Sequence, residues 1–189
     1  MKFLVLSLVA ALVFVPAASA LTLQEGAVTA LESVAGPGIR VDCHLQRPEA
    51  LGHAYKARRV IGVRPWVCRR VNVMLADPAA PYSAQSYGQA FAVLILTHEA
   101  VHLSDYAGAD DEALTECRAI QLVREVALAF GLTDDVARAL GHEAMRYDAK
   151  LPGYDDYRVG LGEIPSYHAT GCSDGGPLDI HPESHDWPN

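Results

Sequence analysis

Two histidines and a glutamate stand close together in the sequence as His98-Glu99-Ala100-Val101-His102. Residues four apart on a helix lie on one face, about one turn apart, so both imidazoles can reach one tetrahedral Zn²⁺. Glu99 lies one step round the helix, from where its carboxylate can take a proton from a water bound to that metal. The His and Glu frequencies of this chain give such a pattern a chance probability of roughly 2%. We therefore expect His98 and His102 to bind zinc and Glu99 to act as general base.

A zinc site of this kind needs a third protein ligand, and two glutamates compete for that role. Glu116 begins an otherwise apolar stripe on the next predicted helix, where an unpaired buried carboxylate would be very costly. Glu112 lies one turn earlier on the same face, but the helix dipole favours an acidic residue in a first turn in any case. We favour Glu116 as the third ligand. Glu112 and a salt bridge from Glu116 to an arginine remain open.

The helix that carries the two histidines is predicted from its apolar spacing. A stripe at i, i+3 and i+4 runs through a segment of about 83–104 and includes both histidines at its end: Tyr87, Phe91, Leu94, Ile95, His98 and His102. Further helices are predicted at about 22–35, with Thr22 and Glu25 as a capping box, and at 65–75, 110–130 and 133–151. Two short strands, 39–45 and 59–63, can pair. These elements predict an α+β fold that is mainly helical.

The first 20 residues read as a signal peptide, with Lys2, an apolar run and the cleavage site Ala18-Ser19-Ala20. The remaining 21–189 are expected to form a single domain. It comprises a small α/β part (21–82), a helical part with the zinc site (83–151) and a tail of ordered coil (152–189). No later segment is apolar enough for stable membrane insertion. The predicted location is therefore secreted, either extracellular or in the cell-envelope space.

Four cysteines in an exported chain indicate two disulfides. Of the three possible pairings we favour Cys43–Cys68 and Cys117–Cys172, one within each half of the chain. Without Lys2 the chain has 14 basic and 23 acidic residues, a formal charge of −9. That balance argues against nucleic acid or an anionic membrane surface as a partner.

At this point the chain resembles the gluzincin type of zinc metallopeptidase, in which the His-Glu-x-x-His helix is followed by a glutamate on the next helix. More closely, it resembles small secreted bacterial proteins described as metallopeptidases. Their E-C-x-A-x-Q segment matches residues 116–121, and their C-x-D-G-G-x-L-D segment matches residues 172–179. The resemblance implies a minimal zincin-like fold, in which a small sheet lies beside an active-site helix pair. It implies no particular substrate.

The predicted function is hydrolysis of amide bonds in a peptide or protein substrate by a zinc-bound water, with Glu99 as general base. Tyr147, on the inner face of the last helix, is the first candidate to stabilise the oxyanion. His142, Tyr157 and His168 are the other candidates. The alternative is a secreted zinc-binding or interaction domain without catalysis. His181 is expected to be solvent-exposed, as is His185, because Pro182 argues against a helix there.

Overall fold

A computed structural model describes residues 21–82, 87–150 and 171–183 of this chain. The side chains of Tyr87 and of residues 147–150 fall outside that description. The predicted signal peptide and most of the predicted coil tail lie outside the described residues as well. None of the helices in the described part of the chain combines the length and apolarity needed to cross a membrane.

Five helices and a three-stranded sheet make up the described part of the chain. The helices are α1 (Glu25–Ala35), α2 (Pro65–Ala76), α3 (Tyr87–His102), α4 (Glu112–Ala129) and α5 (Asp134–Lys150). The strands are β1 (Arg40–Asp42), β2 (Gly52–Tyr55) and β3 (Val60–Val63). The predicted mainly helical α+β class is therefore confirmed. The capping box is wrong, because α1 begins after Gln24 without a side-chain cap.

The sheet has the order β1-β3-β2, so β3 is central and β2 is an edge strand. β1 pairs with β3 in parallel, as the sequence allowed, and β2 pairs with β3 antiparallel, with Gly52 opposite Val63. The four residues of β2 are Gly-His-Ala-Tyr, which do not alternate apolar and polar types over the length that predicts a strand. For that reason the sequence predicted β1 and β3 but not β2.

Helix α3 lies at the centre of the fold. It contacts the other helices α1, α2, α4 and α5 and the strands β2 and β3. Every residue from Ala92 to Val101 is buried, so the predicted apolar stripe is only part of a helix that is covered on all sides. Burial on all sides fixes the axis and rotation of α3, and with them the positions of its two histidines.

The two disulfides pair as predicted. Cys43, after β1, joins Cys68 of α2, and Cys117 of α4 joins Cys172. They fit a protein that matures in an oxidising compartment. Each is expected to stabilise the fold by about 2–4 kcal/mol.

The described C-terminal residues, 171–183, are fastened to α4 at further points. The buried side chain of Gln121 donates to Leu178 O at 3.0 Å and accepts from Ile180 N at 2.7 Å. His181 Nε2 lies 2.8 Å from Glu125 Oε1, and its side chain is 27% exposed. The prediction that His181 is solvent-exposed is therefore wrong, because this segment packs on α4.

Candidate metal centre

The two histidines of the motif lie in the last turns of α3 with their rings in edge-to-face contact. Their centroids are 4.7 Å apart, and His98 Nε2 lies 3.0 Å from His102 Nε2. Both side chains are largely buried, with 9% and 12% of their surface exposed. Spacing of four residues on a helix thus brings two ring nitrogens to one point, as the sequence predicted.

Glu112 supplies a third donor atom at the same point. It is the first residue of α4, and Asp111 caps this helix by accepting a hydrogen bond from Leu114 N at 3.0 Å. Glu112 Oε2 lies 3.0 Å from His98 Nε2 and 3.3 Å from His102 Nε2. The Glu112 side chain is 32% exposed, which makes it the most accessible of the three side chains.

These three atoms form a group that could hold a metal ion. Zinc binds nitrogen and carboxylate oxygen at about 2.0–2.1 Å, and two ligands at that radius in a tetrahedron lie about 3.3 Å apart. The three separations of 3.0, 3.0 and 3.3 Å are close to that value. Two imidazoles and one carboxylate are also a donor set that catalytic zinc sites use, with the fourth position open. The donor set and its spacing therefore fit zinc.

The other nitrogen of each histidine is held by an oxygen acceptor. Glu116 Oε2 lies 2.6 Å from His98 Nδ1, and Ala109 O lies 2.6 Å from His102 Nδ1. A backbone carbonyl only accepts hydrogen bonds, so Nδ1 of His102 carries a hydrogen. A carboxylate on His98 Nδ1 imposes the same arrangement there. Both Nε2 atoms are thereby directed to the point they share with Glu112.

The loop between α3 and α4 places Ala109 against His102. It is turned by backbone hydrogen bonds from Ala109 N to Tyr106 O and from Asp111 N to Gly108 O, at 2.9 and 3.0 Å. A Cβ at Gly108 would lie 2.8 Å from the Tyr106 ring, so any side chain at this position would displace that ring. The loop therefore fixes both a histidine partner and the start of α4.

Protonation of the metal-free group follows from these contacts. Burial alone lowers the pKa of His98, but hydrogen bonds to Glu112 and Glu116 outweigh it and raise the pKa to about 10. Hydrogen bonds from His102 and then His98 hold the pKa of Glu112 well below its usual range. The cluster thus combines protonated imidazole with ionised carboxylate. A cation bound there replaces a proton between the same atoms.

Glu99 lies beside this group but is not one of its three donors. Its residue is 7% exposed, and burial raises the pKa of its carboxyl to about 7, although the nearby histidines oppose this shift. A general base works best when its pKa is near the working pH. Burial therefore brings the pKa of Glu99 into the range that suits proton transfer near neutral pH.

Gly52 of β2 makes room for the Glu99 side chain. A Cβ on Gly52 would lie 2.7 Å from Glu99 Cγ and 2.8 Å from its Cδ, and it would overlap the carboxylate. Such distances are too short for carbon atoms, so any side chain at position 52 displaces Glu99. The edge strand and the motif helix thus meet at a position that only glycine can occupy without moving Glu99.

On the sequence prediction that Glu99 is the general base of a peptide hydrolase, we expect Gly52→Ala to lower kcat between roughly tenfold and a hundredfold, because Glu99 is displaced. Zinc content should not change, since Glu99 is not one of the three convergent donors. Gly26→Ala is a matched control, because a Cβ there meets no atom within 4 Å. Steady-state kinetics and metal analysis of both variants test this. Unchanged kcat in Gly52→Ala would show that the Glu99 position is unimportant.

The structure brings some of the predicted site residues together, and others fall outside the described part of the chain. His98, Glu99, His102 and Glu116 lie together, but Glu112 rather than Glu116 reaches the shared point of the Nε2 atoms. The Tyr147 side chain falls outside the described residues, as do Tyr157 and His168, so their roles stay predictions. His142 lies on α5, and no hydrogen bond in the described part of the chain links it to the three donors.

Comparison with protein-family models, with curated proteins and with solved structures finds no match to this chain.

Proposed function

We propose that this chain is a secreted zinc-dependent metallopeptidase of the gluzincin type. The single observation that carries the proposal is the convergence of His98, His102 and Glu112 within 3.0–3.3 Å, beside the buried carboxylate of a fourth residue, Glu99. A site that only holds metal has no use for Glu99. A buried carboxyl with a pKa raised to about 7 is suited to proton transfer.

In this proposal His98, His102 and Glu112 bind the zinc, and Glu116 is a positioning residue. Support comes from the two nitrogens of the His98 ring, since Glu116 contacts Nδ1 while Glu112 contacts Nε2. A carboxylate on the distal nitrogen orients a metal-bound histidine and raises its basicity. Ala109 O does the same for His102. The proposal therefore makes Glu112 the third ligand, whereas the sequence favoured Glu116 and left Glu112 as the alternative.

Zinc held there acts as a Lewis acid that polarises a carbonyl group and makes water more acidic. The protein supplies the proton transfers. Glu99 accepts a proton from the attacking water as the water oxygen bonds to the amide carbon. It then donates that proton to the amide nitrogen as the carbon–nitrogen bond breaks.

A peptide is the substrate that the neighbouring strand fits best. Arg64 N donates to Leu51 O at 3.1 Å across the β2–β3 pair. Because paired residues alternate in an antiparallel ladder, His53 and Tyr55 also bond to β3, while the N–H and C=O groups of Gly52 and Ala54 point away from it. In the described part of the chain no strand pairs with this outer edge. An extended peptide can add there as a further strand, next to Glu99.

The proposal that the protein is secreted rests on the predicted signal peptide and on the two disulfides, which fit an oxidising environment.

Metal removal tests the proposed function directly. We expect one zinc per chain by elemental analysis and hydrolysis of members of a mixed peptide library. Dialysis against a chelator should lower that hydrolysis at least roughly a hundredfold, because the loss of a Lewis acid costs several kcal/mol. One equivalent of Zn²⁺ should restore it. Bound zinc without any hydrolysis would instead support the non-catalytic zinc-binding alternative, and hydrolysis that survives metal removal would contradict a metallopeptidase.

A further inference from the structure

Next to the edge strand, Arg47 and His53 form a pair of hydrogen-bond donors. Arg47 Nη1 lies 3.3 Å from His53 Nδ1. A guanidinium only donates hydrogen bonds, so Nδ1 is the acceptor and the ring hydrogen is on Nε2. The Tyr55 ring contacts the His53 ring edge-on with centroids 4.5 Å apart and fixes its orientation. The pair thus presents the remaining guanidinium hydrogens and one imidazole N–H.

This pair lies within electrostatic reach of the metal centre. Burial and the charge of Arg47 lower the pKa of His53. The charges of His102 and Glu112 act on the same ring, His102 lowering its pKa and Glu112 raising it. His53 therefore lies within electrostatic range of two of the proposed ligands and follows Gly52, whose Cβ position meets Glu99. Its lowered pKa keeps the ring mainly neutral at pH 7. The positive charge of the pair belongs to Arg47.

The Arg47 guanidinium has no carboxylate partner among the described residues, where its only side-chain contact is His53. The loop that carries it is nevertheless fixed, because Arg64 donates to Pro48 O at 2.6 Å and to Ala50 O at 2.9 Å. A preformed loop loses little entropy when it binds a ligand. Arg47 is thus a charge available to a ligand on a fixed part of the backbone.

The register of β2 directs one substrate side chain towards this pair. If a peptide bonds to Gly52 and Ala54, the peptide residue opposite His53 is in a non-hydrogen-bonded position, where cross-strand side chains come closest. Opposite residues share a face of the sheet, so this side chain lies on the same face as His53. The surrounding segment favours anions, since residues 21–82 contain eight Lys and Arg against five Asp and Glu.

We propose that Arg47 and His53 form a carboxylate-binding subsite that selects peptides with an acidic group close to the scissile bond. A planar guanidinium with an adjacent N–H donor matches the two oxygens of a carboxylate. The acidic group is an Asp or Glu side chain, or the terminal carboxylate of a short peptide. This inference rests on the proposed function, because the β2 edge is the place where that function puts the substrate.

The test uses matched peptides that differ in one acidic group. One pair carries Asp or Asn at a position near the cleaved bond, and a second pair ends in a free acid or an amide. We expect wild-type kcat/KM to favour the acidic member of one pair about tenfold or more, as for a charge-assisted hydrogen bond. Arg47→Gln should remove that preference. Arg40→Gln is the control, since exposed Arg40 lies on β1, at the opposite edge of the sheet.

Binding of the same peptides to zinc-loaded Glu99→Gln protein, measured by fluorescence anisotropy, separates this inference from the proposed function. If acidic peptides bind preferentially to this variant and lose that preference in Arg47→Gln, the subsite is supported. If wild type at the same time hydrolyses none of the peptides, the proposed peptidase function is overturned. Hydrolysis with equal kcat/KM for both members of each pair, or a preference that persists in Arg47→Gln, would overturn the subsite alone. Neither binding nor hydrolysis would overturn both. The peptide pair that shows the preference tells whether the bound carboxylate is an acidic side chain or the terminal carboxylate.

Discussion

Replacing Glu112 by Gln is expected to weaken zinc binding by roughly a hundredfold or more. Structural zinc sites bind with roughly 10–16 kcal/mol through four ligands, which amounts to about 3 kcal/mol for each ligand. Removing the charge of Glu112 also takes away the anionic partner of two imidazoles, 3.0 and 3.3 Å from its Oε2. Competition titration with a chromophoric chelator measures the change. Glu25→Gln, an exposed glutamate of α1, is the control and should bind zinc like wild type.

Glu116→Gln should weaken zinc binding less than Glu112→Gln does, and it should leave the metal ligands unchanged. Loss of an oriented hydrogen bond to a metal-bound histidine typically costs about 10- to 100-fold in affinity, while the ligand set is retained. Substitution with Co²⁺ distinguishes the two roles, because its visible spectrum reports the coordinating atoms. We expect Glu116→Gln to keep the wild-type spectrum and Glu112→Gln to change it. The opposite pattern would mean that Glu116 is the third ligand, which the sequence favoured.

Glu99→Gln is expected to lower kcat by about a thousandfold, within the range of 10²–10⁴ that general acid–base catalysis contributes. Glutamine has the same shape but cannot accept the proton from water. Zinc affinity and KM should change little, since Glu99 is not one of the three convergent donors. Steady-state kinetics and elemental analysis on the same preparation test this. A variant that keeps its zinc and its kcat would exclude Glu99 as the base.

The loss of kcat in Glu99→Gln should not be caused by a loss of folding stability. The Glu99 carboxyl has a pKa of about 7 in the fold, so it is already partly neutral at pH 7. A neutral amide in the same place removes the cost of burying a charge and should leave the melting temperature unchanged or raise it. Glu99→Asp is a useful second variant. It retains a carboxylate on a shorter side chain and should have intermediate kcat.

The part of the site that lies on one helix could be predicted from the sequence. Helical periodicity alone puts His98 and His102 on one face of α3 with Glu99 beside them. Cysteine number and spacing within a chain predicted to be exported were enough to favour the two disulfides that form. These inferences succeed because each depends on regular local geometry or on a small number of possible pairings.

The choice between Glu112 and Glu116 could not be made in that way. The two residues are one turn apart on the same face of α4, so both point towards α3. Which imidazole nitrogen each one meets depends on how far α4 is displaced along α3. The loop from Leu103 to Asp111 and its contact from Ala109 O to His102 set that displacement. A shift of one turn would exchange the glutamate that meets both Nε2 atoms with the one that meets only Nδ1 of His98.

The sequence by itself therefore determined the fold class and the motif helix, because hydrophobic periodicity and residue spacing specify them locally. It favoured the disulfide pairs that form, out of three possible pairings. Only the tertiary structure decided which glutamate completes the group, that Gly52 makes room for Glu99, and that Arg47 and His53 pair at the edge strand next to Gly52. The first two are contacts between segments distant in sequence. Such contacts are fixed by the packing of α3 against α4 and β2, which periodicity within a single element does not describe.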